Sequence, residues 1–558
     1  MIRTSLSRRL GIGAALVLIV ASWIALSGFR ALYNPDEGRY AEIPREMLAT
    51  GDWVIPHLDG LAYIEKPPLQ YWATAVSYEL FGLSSWSARL YTGLCGLATI
   101  LAVMMLAGRL AGAAAMWRSA IVLGSSLLVL LMSHQLTLDM SLTLYMTVTV
   151  AAFCVAQLER TAPRARHGWM LVAWASAACA FLTKGLIAGA LPILTLIVYS
   201  VLHRDLAPWR RLYPVSGIAL FLVLVLPWLL LIQHRLPAFF DFFFIREHVE
   251  RFLTRVEQRY QPWWFFGEVL AAGSLPWLIP VVRALITGWR ASEPRGRFDA
   301  RRLLWVWSVV VLVFFSASDS KLIPYILPIF PALAVLVGTA EERQLATDLR
   351  VTAIGLIVVG AGLGVAAALL PHWLHDPDKA PYFLGIRGPL ALIAFACGAG
   401  GVVALVLGRE RTDRPAGGGA LPLVATVGAA GYLSFVGALW AARVLAPLYS
   451  GESLVTQLAP ALRDTPVVYQ VGLYDQSLPF YLRRTMTLVD YRGELDFGLQ
   501  HEPARGIDTL AAFEPRWRTG GQALAVMSPG TYQLLAADGV PMVVRARTPK
   551  ELIVSRFK

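Results

Sequence analysis

Residues 10–29, LGIGAALVLIVASWIALSGF, lead directly into 33–47, YNPDEGRYAEIPREM, and then into 63–72, YIEKPPLQYW. About twenty apolar residues in a row suffice to cross a bilayer as a helix. The segments beyond residue 30 mix acids, bases, prolines and aromatics. The chain therefore leaves the hydrocarbon near that point and stays at the membrane surface. Arg3, Arg8 and Arg9 precede the apolar run, and Ala25-Leu26-Ser27 resembles a leader cleavage site. The apolar core continues to Phe29 without a polar segment, which favours a retained helix.

The pattern recurs. Further apolar spans lie near 89–107, 116–133, 138–157, 168–183, 185–202, 213–232, 266–286, 303–318, 322–339, 350–370, 384–407 and 420–446. With the first, that makes about thirteen helices of membrane-spanning character. Composition agrees. The 558 residues are 56% hydrophobic and only 15% charged, with mean hydropathy +0.57. Soluble domains carry about a quarter charged residues. The fold class is thus an α-helical polytopic membrane protein.

A net charge of +12 could suggest nucleic acid. Its distribution argues against that partner. Arginines cluster in alternate short loops: Arg109 and Arg118; Arg160, Arg164 and Arg166; Arg204, Arg210 and Arg211; Arg290 to Arg302; Arg409 to Arg414. This is the positive-inside signature, and lipid head groups are the matching counter-charge. The four cysteines, Cys95, Cys154, Cys179 and Cys397, sit within apolar spans with no metal-binding spacing.

With the amino terminus inside, the long loops 30–88 and 233–265 lie outside, with residues 447–558. In the first loop, 37–48 can form a helix, and 69–82 is amphipathic and reads as a helix on the membrane surface. Asp36 suits the N-cap of the first of them. Residues 1–446 form the membrane unit. Beyond it, short apolar runs at 466–472, 486–489, 523–527, 540–544 and 552–554 alternate with helical stretches at 451–463 and 508–513. They predict a small C-terminal α/β domain.

Ionisable groups gather on the outer side, at helix ends and in loops: Asp36, Glu37, Glu65, Lys66, Asp139, Lys184, Asp319 and Lys321 among them. A charge at the centre of a membrane helix costs about 2.5–3.5 kcal/mol on insertion scales. Such groups persist where they share a wet cavity and find partners. One outer cavity served by several helices accounts for all of them.

The Asp-Glu-x-x-Tyr pattern at 36–40 and the Tyr-x-Glu-Lys-Pro-Pro-Leu pattern at 63–69 resemble the first outer loop of GT-C-fold glycosyltransferases that use polyprenyl-phosphate sugars. The likeness is closest to transferases that move 4-amino-4-deoxy-L-arabinose from undecaprenyl phosphate to lipid A. Protein O-mannosyltransferases are more distant relatives. The resemblance implies multi-pass residence in the bacterial inner membrane and a catalytic cavity facing the periplasm. Its partners would be the lipid-linked donor, the lipid A acceptor and the bilayer. It also implies roles. Asp36 and Asp139 match the catalytic carboxylates. Lys66, Lys184 and Arg251 match groups near the donor phosphate, and Glu37 stands beside them. Tyr40, Tyr63 and Tyr325 either line the sugar site or form an interfacial aromatic belt.

A divalent metal, zinc or magnesium/manganese, is a further expectation at Glu65 and His248. The acidic and histidine group His372, His375, Asp376 and Asp378 reads rather as solvated loop charge. Two other functions stay open: a related transferase with another sugar or a protein hydroxyl acceptor, and a transporter or flippase of lipid-linked sugar. The charges gather at one face and no duplicated halves are visible, which weighs against the transporter.

Overall fold

The computed structural model describes residues 2–244, 260–290, 298–374, 379–409, 419–463 and 465–556. Seven described helices are long and apolar enough to cross a membrane: Ser85–Gly124, Asp139–Gln157, Pro214–Arg235, Ala300–Ala317, Glu342–Trp373, Ala380–Arg409 and Leu421–Leu448. Shorter apolar helices cover Gly13–Leu26, Ile187–His203, Leu278–Thr287 and Ile323–Gly338, and Pro163–Lys184 forms another helix. Every apolar stretch read from the sequence falls on helix.

The differences lie in how those helices break. The stretches at 89–107 and 116–133 are two helices within Ser85–Gly124, separated by the non-helical backbone of Ala111 and Gly112, and the second is continued by a short helix, Leu127–Ser133. The stretch at 266–286 divides into Phe265–Gly273 and Leu278–Thr287 around Pro276. The stretch at 322–339 opens as a 3-10 turn, Ile323–Ile329, holding Pro324 and Pro328, before Phe330–Gly338 continues as α-helix. Proline supplies no N–H to the helical ladder. Such breaks survive at membrane depth where protein covers them, and Ile326, Leu327 and Ile329 are fully buried.

The arginine-rich loops meet at one end of the bundle. Arg118 faces Glu342 at 3.7 Å, and Arg302 Nη1 donates to His203 Nδ1 at 2.9 Å. Arg211 donates to the carbonyl of Gln157 and Arg350 to that of Gly408. Loops distant in sequence thus share one end of the bundle.

At the other end, helices Asp36–Thr50 and Leu69–Phe81 lie against each other, with Tyr78 donating to the carbonyl of Ala41 at 3.1 Å. A hairpin, β1 (His57–Leu58) and β2 (Leu61–Ala62), joins them. Asp36 is not the expected N-cap. It is the first helical residue, with Pro35 before it and no side-chain cap. A carboxylate in the first turn still favours the positive end of the helix dipole.

The C-terminal unit carries one six-stranded sheet. Its strands are β3 (Val467–Val471), β4 (Thr487–Val489), β5 (Gly506–Ile507), β6 (Ala523–Met527), β7 (Val543–Arg547) and β8 (Leu552–Ser555), ordered β5-β4-β3-β6-β8-β7. Pairing is parallel from β5 through β6 and antiparallel at β8 and β7. Phe513, Trp517 and Leu535 cover one face; Leu454, Leu478 and Leu482 cover the other. Helix Pro529–Ala537 and strand β5 are additions to the elements expected from the sequence. The sheet unit sits on the first loop. Tyr481 Oη accepts from the N–H of Leu32 at 2.8 Å, and Asp59 Oδ1 accepts from the N–H of Met486 at 2.6 Å.

Candidate active site

Glu37 is the knot of this end of the bundle. Its carboxylate is fully buried and accepts from Arg30 Nη1 at 2.5 Å, Arg89 Nε at 2.6 Å and Arg89 Nη2 at 2.9 Å. It also accepts the N–H groups of Tyr33 and Leu136, each at 2.9 Å. Arg89 donates onward to the carbonyls of Ser27, Arg30 and Ala31, which holds the exit of the first helix. Burial alone would raise the Glu37 carboxyl. The two guanidiniums outweigh it and hold the group down at about 2. Every lone pair is in use, so Glu37 does not line a cavity. It anchors the loop that carries Asp36 to the turn that precedes Asp139.

Beside this knot lies a second cluster. Arg39 Nη1 donates to Tyr63 Oη at 3.0 Å, and Arg39 Nη2 lies 3.8 Å from Asp36 and 3.6 Å from Glu494. Tyr40 and Tyr63 are buried. Burial pushes both phenols well above their usual range, with Asp36 the next cause at Tyr40. They therefore remain neutral hydroxyls. The Asp36 side chain is 48% exposed, the least covered group of this cluster. Glu65 acts electrostatically on Arg39, Tyr40, Tyr63 and Tyr71, so the cluster adjoins the cavity that Glu65 lines.

That cavity has a volume of about 320 Å³ and is lined by Glu65, Lys66, Asp139, Lys184, Ser318, Ser320 and Tyr325, together with Leu142, Met146, Ile187, Leu191, Phe314 and Phe315. Its polar groups sit at helix ends. Asp139 opens helix Asp139–Gln157, and Lys184 closes helix Pro163–Lys184. Each charge meets the end of the helix dipole that favours it. Lys184 Nζ makes an ion pair with Asp139 Oδ1 and lies 5.0 Å from the centre of the Tyr325 ring. Lys66 Nζ donates to the carbonyl of Glu65 at 2.9 Å and stands 3.8 Å from its carboxylate. Leu142 and Met146 lie one and two turns deeper along the helix of Asp139. The arrangement is amphiphilic: two ammonium groups and two carboxylates above an apolar wall. It suits a lipid with an anionic head.

The structure brings Glu65, Lys66, Asp139, Lys184 and Tyr325 together around this cavity and places Asp36, Tyr40 and Tyr63 in the adjoining cluster. Arg251 and His248 lie outside the described residues, as do His375, Asp376 and Asp378; His372 is exposed. Among the described residues no three His, Cys, Asp or Glu side chains converge as metal ligands, and Glu65 has the Lys66 ammonium beside it. Lys321 is buried, and its Nζ donates to the carbonyls of Ser318 at 2.5 Å and Gln261 at 2.9 Å, fixing the turn that forms one wall of the cavity. Ser318 and Ser320 of the cavity, and Glu494 beside Arg39, carry no signal in the sequence. Small polar residues and a carboxylate in a distant domain leave no local pattern.

Comparison with known proteins gives the same picture. Residues 454–556 match the family model "Aminoarabinose transferase C-terminal domain", and residues 10–243 match "Dolichyl-phosphate-mannose-protein mannosyltransferase". The undecaprenyl phosphate-alpha-4-amino-4-deoxy-L-arabinose arabinosyl transferase 1 of Sodalis glossinidius is 32% identical over 526 residues, spanning 91% of this chain and 90% of its own. The corresponding Edwardsiella ictaluri transferase is 34% identical over 358 residues, 63% of this chain and 64% of its own. The crystal structure of ArnT from Cupriavidus metallidurans bound to undecaprenyl phosphate superposes with TM-score 0.89 at 36% identity, covering 99% of this chain and 98% of that one. Matched in sequence and fold along nearly its whole length, the chain belongs to the undecaprenyl phosphate-aminoarabinose arabinosyl transferases, membrane glycosyltransferases of the GT-C fold.

Proposed function

We propose that this protein transfers 4-amino-4-deoxy-L-arabinose from undecaprenyl phosphate to the phosphates of lipid A, at the periplasmic face of the bacterial inner membrane. The carrying observation is the convergence of Lys66, Lys184 and Asp139 above the apolar wall of one cavity. A relative of the same fold, 36% identical, holds undecaprenyl phosphate. The prenyl chain runs along Leu142, Met146, Ile187, Leu191 and the two phenylalanines. The phosphate meets the ammonium groups.

The bond between the anomeric carbon and the donor phosphate oxygen breaks, and its electron pair stays on that oxygen. An acceptor phosphate oxygen forms the new bond from the opposite side, so the configuration inverts. Charge grows on the departing phosphate, and fixed cations stabilise that state more than the ground state. Lys66 and Lys184 fill this role, and Asp139 holds Lys184 in place. An ionised phosphate acceptor needs no general base. Asp36 pairs instead with the amino group of the sugar and keeps the anomeric carbon in line. Adding a cationic sugar lowers the negative charge of the outer surface, and with it the attraction for polymyxin and other cationic peptides.

The test is incubation of the purified full-length protein in detergent with undecaprenyl-phosphate aminoarabinose and lipid A. Mass spectrometry should detect lipid A heavier by one aminoarabinose. Product formed without a sealed membrane separates transfer from transport, and absence of product rejects the reading. Labelling of single cysteines placed at positions 36 and 139 should react from the periplasmic side alone.

A further inference from the structure

A second cavity, of about 780 Å³, opens between the first loop and the C-terminal unit. Four guanidiniums line it: Arg45 from helix Asp36–Thr50, Arg235 from the end of helix Pro214–Arg235, and Arg484 and Arg505 from the C-terminal unit. His57 and Gly60 of the β1–β2 hairpin complete the wall. Three carboxylates, Glu46, Asp52 and Glu502, share the wall, and Glu46 is turned toward the N–H groups of Asp59 and Gly60.

The four arginines differ in how they meet these and neighbouring carboxylates. Arg45 is held bidentate by Glu42, Arg235 by Asp52, and Arg505 by Glu502 through Nε alone. Arg484 donates instead to a backbone carbonyl, that of Thr465. The side chains of Arg235 and Arg505 are 44% and 51% exposed. Asp52 also accepts the N–H groups of Val54 and Ile55, which draws its charge toward its own backbone.

Arg505 is seated with care. Its Nη1 lies over Gly60, where a β-carbon would collide with it, and Gly60 has φ +76°. The hairpin turn thus makes a cradle for a guanidinium that comes from the C-terminal unit. The same stretch of chain serves both cavities. His57 and Gly60 border the groove, and Glu65 and Lys66, a few residues on, border the donor cavity. Helix Asp36–Thr50 has Asp36 at one end and Arg45 nine residues along, about 14 Å by helical rise.

We propose that this arginine groove seats the second phosphate of the acceptor, a glycolipid with a phosphate at each end of its disaccharide, while the first phosphate meets the sugar near Asp36. The C-terminal unit is then part of the acceptor site. Guanidinium forks match phosphate oxygens in pairs, which a lysine cannot do. This assignment rests on the transfer reading, and direct lipid binding supplies a readout independent of transfer.

The full-length protein and the variants Arg484→Ala, Arg505→Ala and Arg505→Lys are compared, with thermal unfolding as the check on folding. Native mass spectrometry reads lipid A binding directly. Arg484→Ala with Arg505→Ala should weaken binding of bisphosphorylated lipid A about tenfold or more and raise the acceptor KM accordingly, with the donor KM unmoved. Arg505→Lys should fall between. Monophosphoryl lipid A should bind wild type and double variant alike. Equal loss for both acceptors, or no loss for either, overturns the proposal. Equal competition by phosphatidylglycerol or inorganic phosphate also overturns it, because the groove would then be a general anion site. Arginine-dependent lipid A binding without sugar transfer would leave the groove standing and reject the transfer reading instead.

Discussion

The carboxylate of Glu37 accepts the backbone N–H of Leu136 across 99 residues of chain, at 2.9 Å. Through it the loop bearing Asp36 is tied to the turn leading to Asp139. Replacing Glu37 by Gln strands Arg89 in a fully buried site. Breaking one side of a buried pair costs about 3–5 kcal/mol. The Glu37→Gln protein should unfold at a markedly lower temperature and lose transfer in proportion. The pH dependence has a definite sign. The native carboxyl is held at about 2, below its unfolded value, so its stabilisation is present above the ordinary carboxylate range and drains away as pH falls toward 2. The gap in melting temperature between wild type and the variant should hold from about pH 7 to pH 5 and narrow as pH falls from there toward about 3.

Asp59 behaves in the opposite sense. It is buried beside Glu46, and Oδ2 has no hydrogen-bond partner among the described residues. Burial, with Glu46 adding, raises its carboxyl to about 8. A carboxyl raised on folding favours the native state fully below its unfolded value and opposes it as pH rises through the folded one. Wild type should therefore lose stability between about pH 4 and pH 8. Asp59→Asn keeps an oxygen for the N–H of Met486 and removes the charge. It should melt higher than wild type at about pH 9, by the equivalent of about 1–3 kcal/mol, and close to it at about pH 5.

The Asp139–Lys184 pair offers a cycle of variants. Lys184→Met should reduce kcat about 10²–10³-fold, the usual cost of one electrostatic stabiliser, and should also lower the melting temperature by leaving Asp139 without its ion-pair partner. Adding Asp139→Asn should restore the melting temperature and leave activity low. Recovery of activity in the double variant would show the pair to be structural only.

Asp36→Asn should abolish transfer with the melting temperature unchanged, since its side chain is half exposed and its ion pair with Arg39 is long, at 3.8 Å. Near-normal turnover would remove Asp36 from the reaction.

Gly38 marks the contact between helix Asp36–Thr50 and the C-terminal unit. A β-carbon there would lie 2.5 Å from the backbone of Gln476 and Ser477. Backbone cannot retreat as a flexible side chain can. Gly38→Ala should push the C-terminal unit off the helix, cost about 1–3 kcal/mol as an overpacked contact, and speed limited proteolysis of residues beyond 450.

Much of the fold is legible in the sequence because the bilayer enforces long apolar helices; a spanning segment must satisfy its own backbone. The first-loop helices and most strands of the C-terminal sheet are likewise readable from local periodicity. Broken spans are harder. Pro276 and Pro328 are visible, but whether a chain breaks or merely bends there depends on neighbouring side chains. At the site, Lys66 and Asp139 stand out as charges at the edges of apolar runs. Glu37 misleads, because its place beside Asp36 suggests a donor-binding group. Its guanidinium partners come from residues 30 and 89, and nothing local announces that pairing.

Membrane class, the alternation of inner and outer loops and the residue types gathered outside all follow from hydropathy and charge along one dimension, so the chain's order of residues suffices for them. Which charges meet is a matter of three dimensions: Lys184 turns to Asp139, Glu37 is consumed as an anchor, and Arg505 of the C-terminal unit rests on Gly60 of the first loop. The reason is range. Hydrophobic periodicity is a property of neighbours, whereas an ion pair holds at a few ångströms between groups the chain keeps tens or hundreds of residues apart.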